Sequence, residues 1–107
     1  MGERLVRDKI PAVAKSRGLD WRFRAAKPEE MVNLLLDRLI VETNEVRAEL
    51  SKPVLDQESV LTEVADLIDV LYKVIRTSNL SWVDINRVRG ERLSSRGGFD
   101  DGVVWIE

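Results

Sequence analysis

The chain has 107 residues, 44% of them hydrophobic and 34% charged, with a formal net charge of −2 and neither Cys nor His. That length suits one domain with a small core that association would enlarge. The missing residue types exclude disulfides, thiolate or imidazole metal ligation, and Ser-His-Asp or Cys-His nucleophilic machinery, which leaves acid–base work to Asp, Glu, Lys, Tyr or metal-bound water.

Pro11 suits the first turn of a short helix that Gly18 ends. In Asp20-Trp21-Arg22-Phe23-Arg24, aromatic and basic side chains alternate, which predicts a short strand. Pro28-Glu29-Glu30 then opens a long helix expected over residues 28–50, with acids at the positive end of its dipole. Its apolar surface, Leu34–Leu36 with Leu39–Val41, is broad enough to pack on more than one neighbour, a second subunit included. Ser51-Lys52-Pro53 breaks this helix.

A second helix is expected from Gln57 to Ser78, with Asp56 as N-cap and Asn79 as stop. Ser81-Trp82-Val83-Asp84 resembles a capping box with Asp in the usual Glu position, and opens a third long helix running to about Ser95. Arg96-Gly97-Gly98-Phe99 is an abrupt turn, and Val103–Ile106 predicts a short terminal strand. The expected fold is therefore mainly all-α: an antiparallel helical bundle completed by oligomerisation, with short terminal strand segments, in one domain spanning 1–107. No apolar run is long enough to span a membrane and the start has no signal-peptide core, so the expected location is cytoplasmic.

Charge is unevenly distributed along these elements. Residues 1–27 carry 8 basic and 3 acidic side chains, residues 28–69 carry 3 and 11, and residues 70–99 carry 6 and 2. Within the acidic middle, Glu42 and Glu45 are spaced i, i+3, and so are Glu63 and Asp66. On a helix each pair falls on one face, and two helices joined by a short break lie antiparallel, so four carboxylates would meet between them. Such anions repel one another, and a hard divalent cation with a preference for oxygen ligands relieves the repulsion. The competing reading is two amphipathic helices with acidic outer faces. Against it stands the setting of the acids, among Leu39, Ile40, Val41 and Val46 on one helix and Val60, Leu61, Val64, Leu67 and Ile68 on the other. Asp69, one turn beyond Asp66, is a further candidate ligand or supporting acceptor, whereas Glu49 is expected at the surface. A basic stripe, Arg89, Arg92 and Arg96, precedes Gly97-Gly98 at i, i+3, i+7, which fits either a phosphate clamp or favourable charge at a helix C-terminus.

Glu42-x-x-Glu45 followed by Glu63-x-x-Asp66 resembles the metal-binding motif of the all-α nucleoside triphosphate pyrophosphohydrolases, which include MazG, dimeric dUTPases and phosphoribosyl-ATP pyrophosphohydrolase. Leu5-Val6-Arg7-Asp8-Lys9-Ile10-Pro11 is similar to the opening of a MazG-like, phosphoribosyl-ATP pyrophosphohydrolase-like subgroup, and Arg96-Gly97-Gly98-Phe99 with Gly102-Val103-Val104 to its ending. The resemblance implies a helical enzyme that assembles as a homodimer or homotetramer. It implies Mg²⁺-dependent hydrolysis of a nucleoside triphosphate to monophosphate and pyrophosphate, with Mn²⁺ as a substitute ion and house-cleaning as one role. Glu42, Glu45, Glu63 and Asp66 carry over as metal ligands and catalytic acids, and Arg89, Arg92 and Arg96 as the nearest counterparts of phosphate contacts. The segment between the acidic pairs is too short for the extra helices of dimeric dUTPases. The alternative is a catalytically inactive helical interaction module with a vestigial metal site. Nucleic-acid binding through the C-terminal arginines is disfavoured by the net charge and the acidic centre.

Overall fold

The structure, a computed structural model, describes residues 2–107, and every regular element in them is helical. Helix α1 spans Ile10–Ser16, α2 Met31–Leu50, α3 Gln57–Thr77 and α4 Trp82–Arg96, and a 3₁₀ turn over Pro28–Glu30 leads into α2. The helix boundaries follow local chemistry. At the start of α3 the Asp56 carboxylate accepts from the Ser59 backbone N–H, and the Ser81 hydroxyl does the same for Val83 and Asp84 at the start of α4. At the end of α3, Asn79 turns left-handed at φ 56°, the Leu80 N–H donates to the Ile75 carbonyl and the Asn79 N–H to that of Arg76. Gly18, at φ 71°, closes α1 in the same way, with Leu19 donating to Ala14 and Gly18 to Lys15.

The centre of the molecule is the antiparallel pair α2–α3, reversed by the connection over residues 51–56. Leu35 on α2 and Ile75 on α3 are its buried apolar residues, flanked by half-buried Leu34, Leu39, Val60, Val64 and Leu67. The pair is not extended into a bundle within one chain, because neither α1 nor α4 packs along it as a helix. Helix α4 leaves after an edge-to-face contact of Trp82 with Tyr72, ring centroids 5.2 Å apart. The N-terminal segment is tied to the start of α2 by Arg24, whose guanidinium donates to both Glu3 oxygens and both Glu30 oxygens at 2.8–3.0 Å.

The expected strands at Asp20–Arg24 and Val103–Ile106 are absent among the described residues. Alternation marks a chain suited to a ladder, but a ladder needs a paired strand, and neither stretch exchanges backbone hydrogen bonds with another segment. The result is an open molecule. Its radius of gyration is 17.8 Å, against about 13 Å for a compact domain of this length. Ile40, Leu61, Ile68, Leu93 and the whole of Val103–Ile106 are exposed.

Candidate metal centre

The two acidic pairs project from facing helices. Glu42 lies midway along α2 and is only 2% exposed, the one buried charged residue among the described residues. Glu63 and Asp66 lie one turn apart in the first half of α3, both half-buried. Because α2 and α3 run antiparallel, the middle of one faces the N-terminal half of the other, and carboxylate oxygens of Glu42, Glu63 and Asp66 come within 4.8 Å of one another.

That spacing suits a small hard cation. Glu42, Glu63 and Asp66 would each offer one oxygen to such an ion, which binds oxygen ligands at about 2.0–2.1 Å. The donors are all carboxylate, as such an ion prefers. Glu63 makes no ion pair among the described residues. Desolvation, then repulsion from Glu45, Asp66, Glu42 and Glu49, pushes its pKa above the ordinary value.

The structure thus brings three of the four expected ligands together. Glu45 lies exposed on α2, outside the three-oxygen set, yet near enough to be the strongest of the charges that raise Glu63. Asp69 is also outside the set. Its Oδ2 accepts from Arg7 Nη2 at 2.9 Å, and the same nitrogen donates to Asp66 Oδ1 at 2.6 Å. Glu49 is not at the surface as expected: its carboxylate is mostly buried, with Lys52 Nζ 2.8–2.9 Å from its two oxygens.

Arg38 answers the charge of Glu42, Nη2 to Oε1 at 2.6 Å, as its position one helical turn earlier suggests. Arg7, from the opposite end of the chain's order, gives no local signal of its role, since its partners are 59 and 62 residues away. Both arginines line a groove of about 640 Å³ beside the acids, as do Lys73 and Arg76 of α3. Arg89, Arg92 and Arg96 do not line this groove. All three are exposed on α4, where Arg89 donates to Asn86. No helix among the described residues is long and apolar enough to cross a membrane.

Comparison with known proteins returns no family model, no curated protein and no solved structure that matches this chain.

Proposed function

We propose that this chain is a Mg²⁺-dependent nucleotide pyrophosphohydrolase of the MazG-like kind. It would cleave the α–β phosphoanhydride of a nucleoside triphosphate or related nucleotide. The observation that carries this reading is the convergence of Glu42, Glu63 and Asp66 oxygens from two facing helices, with Glu42 buried. An interaction surface needs its acids in solvent, whereas burying a carboxylate in a molecule with so small a core costs stability that only a bound cation or a paired guanidinium offsets. The terminal motifs, Leu5–Pro11 and Arg96–Phe99, support the same family.

Glu42, Glu63 and Asp66 would hold the ion, and Glu45, one turn from Glu42, completes the set by a side-chain rotation. When bound, the ion supplies Lewis acidity toward the phosphate chain. The protein positions the rest. A carboxylate of this cluster would accept the proton of the attacking water. The basic groove along Arg7, Arg38, Lys73 and Arg76 receives the anionic product end.

The active form is proposed to be a homodimer or homotetramer. The accessible surface of the single chain is 9622 Å², whereas a compact monomer of 12.2 kDa exposes about 6,000 Å². The deciding experiment is a screen of standard and damaged nucleotides with Mg²⁺ or Mn²⁺, with pyrophosphate and orthophosphate detected separately. Pyrophosphate plus monophosphate is the expected product pair. Orthophosphate plus diphosphate, or no turnover of any nucleotide, refutes the reading and favours the interaction module.

A further inference from the structure

The carboxylates that would hold the ion are already engaged. Arg7 Nη2 bridges Asp66 and Asp69, at 2.6 and 2.9 Å, and Arg38 Nη2 lies 2.6 Å from Glu42. Arg7 donates to carboxylate oxygens that an ion would need, and Arg38 sets its charge against another. Both side chains also line the groove, together with Arg4, Lys73 and Arg76. The last three make no ion pair among the described residues. The acids of the groove are Asp8, Glu42, Asp66 and Asp69. Five cations therefore face four anions, a formal charge of +1. A divalent ion held by Glu42 and Asp66, with Glu63 beside the groove, would make the site more positive and place like charge against Arg7 and Arg38.

Resting on the reading of the acids as a metal centre, we propose that Arg7 and Arg38 are exchangeable counter-ions. They neutralise the carboxylates when no ion is bound, and when an ion takes those oxygens they are handed to the phosphate chain of the ligand. Arg7 is suited to the exchange. Its side chain is largely exposed and sits on a long flexible stem. The segment that carries it is fixed elsewhere, by the fork of Arg24 on Glu3 and Glu30, so releasing Arg7 does not release the segment. Once turned into the groove, Arg7 stands with Lys73 and Arg76 as an oligophosphate subsite on the hairpin itself.

Ion and oligophosphate then bind with positive coupling, each tightening the other by the same factor. Arg7 enters the two equilibria with opposite signs: it competes with the ion and assists the phosphate. A purely structural Arg7, clamping the N-terminal segment to α3, would weaken both on removal or affect neither.

The test uses the full chain and no turnover. Mn²⁺ affinity is read from the electron paramagnetic resonance of unbound Mn²⁺. Oligophosphate affinity is read by titrating the Mn²⁺ complex of methylenediphosphonate, which cannot be hydrolysed, into Mn²⁺-saturated protein. Arg7→Ala and Arg7→Gln are expected to bind Mn²⁺ alone about 3- to 10-fold more tightly and the diphosphonate about 10-fold more weakly, the scale of one charge-assisted contact. Arg7→Lys, which keeps the charge but not the fork, should fall between wild type and Arg7→Ala in both. Weaker or unchanged Mn²⁺ binding in Arg7→Ala and Arg7→Gln overturns the exchange while leaving the metal centre standing. Failure of the wild type to bind Mn²⁺ at all removes the metal centre, and the exchange with it.

Discussion

Replacing Ile40 tests whether this helical hairpin exists as a single chain at all. Ile40 lies on α2 within two residues of buried Glu42, yet it is 62% exposed. Fully burying an isoleucine stabilises by about 1.5–3 kcal/mol, so covering its exposed part is worth about 1–2 kcal/mol per chain. In a two-fold interface the substitution acts twice, and Ile40→Ala should cost about 2–4 kcal/mol of association free energy, a rise of about 30- to 700-fold in the dissociation constant. Ile40→Glu should cost more, since it adds a desolvated carboxylate. The surface to be covered is ample. The chain exposes roughly 3,500 Å² beyond the expectation for a compact monomer, more than one partner's share of an obligate homodimer, about 1,000–2,500 Å². Sedimentation velocity over a dilution series measures the effect directly, and the melting temperature of the wild type should fall on dilution. A wild type that sediments as a monomer at micromolar concentration, with a melting temperature independent of dilution, refutes the reasoning. Unchanged association in Ile40→Glu, Leu61→Glu and Ile68→Glu alike would show that the contact lies on neither exposed helical face.

Three further outcomes follow from the site and the fold. Mn²⁺ at about 100 times its dissociation constant should add about 2.7 kcal/mol to the stability of the wild type, and Asp66→Asn should remove most of that gain in a thermal melt. Glu45→Gln and Asp66→Asn should each lower metal-dependent release of pyrophosphate by about 100-fold, the upper end of what loss of even a supporting group costs a metal site; full activity in both moves the chemistry elsewhere. The Arg24 fork, chiefly by its hydrogen bonds, holds Glu30 down at about 2 from an ordinary 4.5 and lowers Glu3 as well. The stability this supplies is fully present above about pH 4.5 and is lost as the pH falls through about 2, so Arg24→Ala should flatten the acid limb of a melting-temperature profile in that window, and an unchanged limb excludes the fork as its cause.

The elements legible in the sequence were those whose cause is local. Asp56 and Ser81 as caps, Asn79 and Gly18 as stops, and the apolar spacing of α2 and α3 are all decided within a few residues, and the structure reproduces them. The convergence of Glu42 with Glu63 and Asp66 was legible because two i, i+3 pairs on an antiparallel hairpin leave few other arrangements. What local pattern does not decide is pairing across the fold. The alternation at Asp20–Arg24 and Val103–Ile106 reads as strand, but strand formation depends on a neighbour that the pattern does not specify. Glu49, expected in solvent, is mostly buried and pairs with Lys52 just beyond the helix end. Arg7 reaches Asp66 and Asp69 across 59 and 62 residues of chain, and Arg24 ties the same N-terminal segment to Glu30, a relation no local pattern specifies.

The same electrostatics separate stability from function. A single chain that buries only Ala14, Leu35 and Ile75 among its described apolar residues has little free energy to spare, yet it places Glu42, not a leucine, between its two long helices. Replacing a buried ion pair with well-packed apolar side chains is often neutral or stabilising by about 1–4 kcal/mol. Arg38–Glu42 is therefore a weak account of stability, and its neighbours sharpen the point: Glu63 and Asp66 add repulsion where the hairpin would gain from apolar contact. For a purely structural hairpin, gathering these carboxylates within 4.8 Å of one another brings no gain. On the proposed reading, a cation bound there would convert the repulsion into attraction, and Arg7, which reaches Asp66 from a largely exposed stem, would be open to exchange.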